Sequence, residues 1–144
     1  MTGLDRRPTR GGLFVPYMVD ERVDPIDFKI VHAGHVRKCS RDRLCGICGL
    51  RIANNTPYAF VGPDDGRRCF ADPWMHPACA RVAMEQCPFL ASRRDWRERS
   101  ENSLIASMEQ RYSHNMALFI APNGRSHFEE GVWHFEALGD LRRG

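Results

Sequence analysis

Cys45-Gly46-Ile47-Cys48-Gly49, answered across a spacer of 27 residues after Cys48 by His76-Pro77-Ala78-Cys79, decides the fold of this chain of 144 residues. A structural zinc ion takes four soft or borderline ligands in a tetrahedron. Cys45 and Cys48 can face one ion if the backbone turns sharply between them, and Gly46 and Gly49 permit that turn. His76 and Cys79 are three residues apart at the start of an expected helix, so they share one helix face. The positive end of that helix also favours the Cys79 thiolate. Knuckle, intervening hairpin and helix start, in that order, predict a treble-clef zinc finger. A lone Cys-x-x-Cys would also fit a redox dithiol, but a redox site has no use for a His-x-x-Cys pair opening a later helix. Four protein ligands close the coordination sphere, so Zn2+ here is expected to be structural rather than catalytic.

The flanking pattern supports this order. Tyr58-Ala59-Phe60-Val61 and Arg67-Arg68-Cys69-Phe70 surround Gly62-Pro63-Asp64-Asp65-Gly66, which reads as two strands of a β-hairpin around a turn. Pro77 suits the first helical position and Pro88 disfavours helix at Cys87, which predicts a short helix over about 77 to 87. Leu104, Ile105, Met108 and Tyr112 form a helical stripe over about 101 to 113. Met116 to Ala121, Arg125 to Glu129 and Val132 to Leu138 read as a meander, with Asn123-Gly124 as a strong hairpin turn and Glu130-Gly131 as a weaker one. Towards the N-terminus, residues 1 to 11 read as a flexible arm. Leu13 to Val19 is a β-leaning segment that Pro16 confines to an edge, and Ile26 to Val31 alternates like a half-buried strand. The expectation is an α+β protein with three parts. These are the arm (1–11), a zinc-binding treble-clef domain with N-terminal strands (12–91), and a C-terminal helix with β-meander packed on it (92–144).

The remaining cysteines fit less well as ligands. Cys87 lies eight residues past Cys79, about 12 Å along a helix axis, too far to share an ion that sits about 2.3 Å from each sulfur. Cys69 falls in the second hairpin strand. Cys39, six residues before Cys45, can replace a ligand only with poorer geometry. If Glu130-Gly131 makes a two-residue turn, His127 and His134 stand opposite each other, as a polar pair or as metal ligands. His32 and His35 read as loop residues, and His114 follows a helix end.

Hydrophobic residues make up 42% of the chain and charged residues 27%, a globular composition. No run approaches the roughly 18 apolar residues of a membrane span, and no apolar core follows Met1, so no membrane association or signal peptide is expected. A cytoplasmic location follows, in which six cysteines serve as thiols or metal ligands rather than disulfides. Net charge is +3, which permits nucleic-acid contact without demanding it. Nineteen of the 21 basic residues are arginine. Codon composition in a GC-rich genome explains that bias as well as phosphate recognition does. Two clusters stand out: Arg37, Lys38, Arg41 and Arg43 beside the knuckle, and Arg93, Arg94, Arg97 and Arg99 around Trp96, a candidate stacking platform. No Gly-rich phosphate loop and no nucleophile–base signature is visible.

Together, Leu13-Phe14-Val15-Pro16-Tyr17, Arg43-Leu44-Cys45-Gly46-Ile47-Cys48-Gly49, Phe70-Ala71-Asp72-Pro73-Trp74-Met75-His76-Pro77-Ala78-Cys79-Ala80 and Cys87-Pro88-Phe89-Leu90-Ala91 carry a resemblance. Over about residues 12 to 91 the chain resembles an uncharacterised family of small treble-clef zinc-binding proteins from actinobacteria and their phages. The resemblance implies a zinc-binding fold, an actinobacterial or phage origin and a place for Cys87 in the family pattern. It implies no activity. The functional expectation is a non-enzymatic zinc module that contacts nucleic acid, or a nucleic-acid machine, through the two arginine clusters. The first alternative is a phage- or mobile-element-encoded factor that binds a host protein. A weaker alternative is an HNH-like metal-dependent nuclease, for which a catalytic His before a metal-binding His or Asn is not evident.

Overall fold

The computed structural model describes residues 3–10, 12–25, 27, 30–86 and 116–144. Its elements, in chain order, are β1 (Thr9–Arg10), β2 (Leu13–Phe14), α1 (Ala33–Asp42), β3 (Tyr58–Pro63), β4 (Cys69–Phe70), α2 (Pro77–Gln86), β5 (Met116–Ala121), β6 (Asn123–Glu129), β7 (Val132–Leu138) and β8 (Arg142–Arg143). The protein is α+β, and every described strand pairing is antiparallel. Among the described residues, no helix is long and apolar enough to cross a membrane.

Two three-stranded sheets, ordered β3-β5-β8 and β4-β7-β6, carry the core. Their pairing differs from the expected hairpin and meander. β3 does not fold back onto β4. It pairs over its whole length with β5, from Tyr58 opposite Ala121 to Pro63 opposite Met116, while β4 pairs with β7. Nor do β5 and β6 form a hairpin, because Asn123 and Gly124 lie inside β6, paired with Leu138 and Ala137. The physical reason is aromatic burial. Tyr58, Phe60, Phe70, Trp74 and Phe135 are all nearly inaccessible to solvent, and the two sheets meet through their rings. Phe60 stacks on Phe70 at 5.2 Å between ring centroids, and Trp74 meets Phe135 edge-on at 5.0 Å. Tyr58 to Gly62 are buried without a break, so both faces of β3 lie in the core. Gly124 serves this packing, not a turn. A Cβ there would stand 2.9 Å from Tyr58, 3.0 Å from Trp74 and 3.1 Å from Phe60, so only glycine lets β6 approach the rings.

The Glu130–Gly131 turn does form. Both residues have positive φ, 52° and 78°, the type I′ geometry whose twist matches a two-residue hairpin. α2 is observed at Pro77–Gln86, as the proline punctuation predicts. The stripe over 101 to 113, His114, Cys87 and Pro88 lie outside the described residues.

Most of the basic cluster from Arg37 to Arg43, for which the sequence suggests no helix, lies on the helix α1. His32 caps it, its Nδ1 accepting the His35 amide at 3.1 Å. Only Val36 and Cys39 are buried, a stripe too thin to read as amphipathic. Arg43 ends the helix in the left-handed region (φ 55°, ψ 46°), its amide donating to the Cys39 carbonyl, a stop signal usually carried by glycine. Further towards the N-terminus, Gly3–Arg6 forms a 3-10 turn whose Leu4 is buried in the core, and β1 pairs with β2. Of the alternating segment from Ile26 to Val31, Val31 makes one antiparallel bridge to Val19 and, with Ile30, remains exposed, while Ile26, Phe28 and Lys29 lie outside the described residues.

Candidate metal centre

The knuckle is a loop closed on itself. Leu44 bridges Arg51, the Cys45 amide donates to the Leu50 carbonyl at 2.8 Å, and the Gly49 amide donates to the Cys45 carbonyl at 2.9 Å. Gly49 has φ of 79°, and a Cβ there would press on the Tyr17 ring at 2.8 Å, so the position admits only glycine. The second half is delivered by a reciprocal pair of 2.9 Å backbone hydrogen bonds between Ala59 and Met75. His76 follows directly, and its carbonyl accepts the Ala80 amide at 2.9 Å as the first helical bond of α2. Pro77, which has no amide proton, occupies the position where none is needed.

This brings the ligand atoms of Cys45, Cys48, His76 and Cys79 within 4.8 Å of one another, a group that can hold a metal ion. Sulfur at about 2.3 Å and nitrogen at about 2.1 Å from a tetrahedral ion stand about 3.6 Å apart. The Sγ atoms of Cys48 and Cys79 lie 3.4 and 3.9 Å from His76 Nδ1, on either side of that value. The three cysteines are buried and His76 is half-buried. His76 Nε2 lies 3.2 Å from the Arg51 carbonyl. Donation there leaves the Nδ1 lone pair facing the sulfurs, which fixes the tautomer a metal ligand requires. Backbone amides surround the thiols as well. Those of Ile47 and His76 donate to Cys45 Sγ at 3.4 and 3.3 Å, and that of Leu50 supports Cys48.

The four donors act strongly on one another's protonation. Hydrogen bonds from the Cys45 and Cys79 side chains hold Cys48 well below the usual thiol range. The same contacts, with Cys45 and Cys48, drive Cys79 far above it. His76 is pushed up to about 10, chiefly by Cys45 and then Cys48. Three thiols this close cannot all ionise unless a cation sits among them. Cys39, on α1, is fully buried but outside the ligand group, and burial pushes its thiol up to about 12.

The arginines do not form one surface. Arg37 and Lys38 are exposed on α1, and Arg41 is ion-paired with Asp42 at 3.0 Å. Arg43 turns inward. Its Nη1 donates to the Tyr58 hydroxyl and, at 3.3 Å each, to Asn123 Oδ1 and the Gly124 carbonyl. Its guanidinium also lies 5.7 Å from the ring centroids of both Tyr58 and Trp74. This charge braces β3 against β6 and is not offered to a ligand. Arg93, Arg94, Arg97, Arg99 and Trp96 lie outside the described residues. Nothing in the spacing of Arg43 pointed to this role, because its partners are 15 and 80 residues away. No protein-family model, curated protein or solved structure matches this chain.

Proposed function

We propose that Cys45, Cys48, His76 and Cys79 bind one Zn2+ in a closed tetrahedral site, and that the protein is a zinc-stabilised binding module rather than an enzyme. The observation that carries this reading is the pair of sulfur–nitrogen distances on either side of the tetrahedral value, within a donor set that cannot ionise fully without a cation. A knuckle and a helix start, two of the three parts of a treble clef, support this reading, although the local β3–β4 hairpin is replaced by pairing with β5 and β7. The knuckle supplies two thiolates, the Ala59–Met75 bridge returns the chain, and the residue before α2 and the first turn of α2 supply His76 and Cys79. Three of the four ligands belong to the same buried cluster as Phe60, Trp74 and Phe135, so the ion acts as part of the core. With four protein ligands, no position remains for a substrate or an activated water. The knuckle and the block around His76 and Cys79 are two of the four blocks that carry the resemblance to the actinobacterial and phage family.

Metal content of the purified chain tests this directly. One tightly held Zn2+ per chain is expected to survive purification and exhaustive dialysis. Co2+ substituted for it should show thiolate-to-cobalt charge-transfer absorption, and a strong chelator should unfold the core, since binding free energy at such a site is folding free energy. A chelated chain that keeps its near-UV circular dichroism would refute a structural role.

The partner we propose is a polyanion met by the exposed face of α1, where Arg37 and Lys38 stand beside the knuckle with Arg41 at its edge. A few phosphate contacts give weak binding with a shallow salt dependence. Titrating single-stranded and duplex DNA at low salt, with the Arg37→Ala/Lys38→Ala double variant as comparison, tests this. Binding that is absent, or unchanged in the variant, would shift the reading to a protein partner.

A further inference from the structure

The β6–β7 hairpin carries a second donor cluster. Its type I′ turn sets the register so that His127 pairs with His134 and Glu129 with Val132. With a side-chain period of two, His127, Glu129 and His134 share one face, opposite the face that buries Phe135 and Ala137. The two imidazoles stack with centroids 4.9 Å apart and planes within 16°, so their edges run side by side. His127 Nε2 stands 3.6 Å from Glu129 Oε2. That separation is too long for a hydrogen bond. It is close to the roughly 3.4 Å between two ligands that each sit about 2.1 Å from a tetrahedral ion. A nitrogen of His134 completes a triangle with no side longer than 4.8 Å. The side chains of His127 and Glu129 are 44% and 67% exposed, so small rotations can close the longest side without moving the core.

The surroundings favour a cation. Glu130 occupies the adjacent turn, and Glu136 lies in the next row of the same face. Arg125 is held on Glu136 by hydrogen bonds of 3.0 to 3.2 Å, so it does not oppose the cluster and Glu136 is not a further ligand.

From this geometry we infer that the outer face of the β6–β7 hairpin is a second, open metal site, at which His127, His134 and Glu129 bind an exchangeable Zn2+. Two imidazoles and a carboxylate are a donor set suited to Zn2+ and its first-row neighbours. Three protein ligands leave the fourth position of the tetrahedron to water, unlike the closed set of Cys45, Cys48, His76 and Cys79.

Titration of the full chain with Co2+ tests the site, because the two donor sets differ in colour. The thiolate site gives charge-transfer absorption, and a site without sulfur gives only weak visible bands. The expected result is a second equivalent of Co2+, displaceable by Zn2+, that adds visible bands and leaves the charge-transfer band unchanged. His127→Ala and His134→Gln should each abolish that equivalent while the first is retained. Glu129→Gln should weaken it at least about tenfold. His127 and Glu129 are exposed and His134 is half-buried, and circular dichroism of each variant confirms folding. A chain that binds no second equivalent, or a second equivalent that survives in the His127→Ala/His134→Gln double variant, overturns the inference. Loss of the charge-transfer band with the second equivalent retained would count against the structural-zinc reading alone.

Discussion

Gly124→Ala separates two views of the Asn123-Gly124 dipeptide. As a hairpin turn, it would need glycine for a positive φ and would face solvent. In the structure it lies within β6, and an added methyl would meet ring atoms of Tyr58, Trp74 and Phe60 at 2.9, 3.0 and 3.1 Å. All three rings are at least 97% buried, and Arg43 is braced against two of them, so none can swing into solvent. Inserting one methyl into a filled core costs about 1–3 kcal/mol. At an unfolding entropy of about 2.1 cal/mol/K per residue, a chain of this length has roughly 0.3 kcal/mol/K, so a loss of about 2 kcal/mol lowers Tm by about 7 °C. Gly131 provides the contrast, since it has a φ of 78° and nothing within 4 Å of its Cβ position. Asn tolerates that conformation, so Gly131→Asn should stay within about 0.5 kcal/mol of the parent. Gly124→Asn should be worse than Gly124→Ala. The assay is urea and thermal unfolding at fixed free Zn2+, because bound metal shifts apparent stability. The packing argument fails if Gly124→Ala is neutral, or if Gly131→Asn proves the more costly of the two.

Other perturbations test the remaining supports. Arg43→Met removes charged hydrogen bonds to three acceptors and two ring contacts, and should cost about 2–3 kcal/mol in denaturant unfolding with metal stoichiometry unchanged. An effect on polyanion affinity without a loss of stability would contradict the inward role. His32→Ala removes the cap of α1 and should cost about 1 kcal/mol, most of which His32→Asn should restore; equal losses in both would mean that stacking on His35, not the cap, holds the helix. Burial raises the Asp72 carboxyl from 3.8 to about 6, so the folded state holds a proton that the unfolded chain releases. That protonation favours folding fully below about pH 4, and the benefit is lost as pH rises to about 6 and above. Asp72→Asn should therefore gain stability relative to the parent between pH 5 and pH 7, and a difference that stays flat with pH would refute the burial of that carboxyl.

Legibility in the sequence followed the range of the physics involved. The grouping of Cys45, Cys48, His76 and Cys79, the start of α2 at Pro77 and the pairing of His127 with His134 are set by spacings of a few residues and by a proline or a two-residue turn. Such signals are local, so they survive without knowledge of the rest of the chain. α1 escaped notice because its cap is a histidine, its stop an arginine, and its buried stripe two residues wide.

Strand partnership was decided only in three dimensions. Tyr58 to Val61 announces a buried strand by its unbroken apolar run, but nothing in that run says whether β4 or the distant β5 lies beside it. The choice depends on where Phe70, Trp74 and Phe135 can be removed from water together, a property of the assembled core. Gly124 and Arg43 follow from the same cause. One is a glycine because rings from elsewhere in the chain crowd it, and the other is an arginine facing inward because those rings and carbonyls receive its charge. Sequence alone determined the knuckle, the helix start and the turn that aligns the second histidine pair. The tertiary structure decided what those local pieces are packed against, because burial of the aromatic core is a sum over residues far apart in the chain.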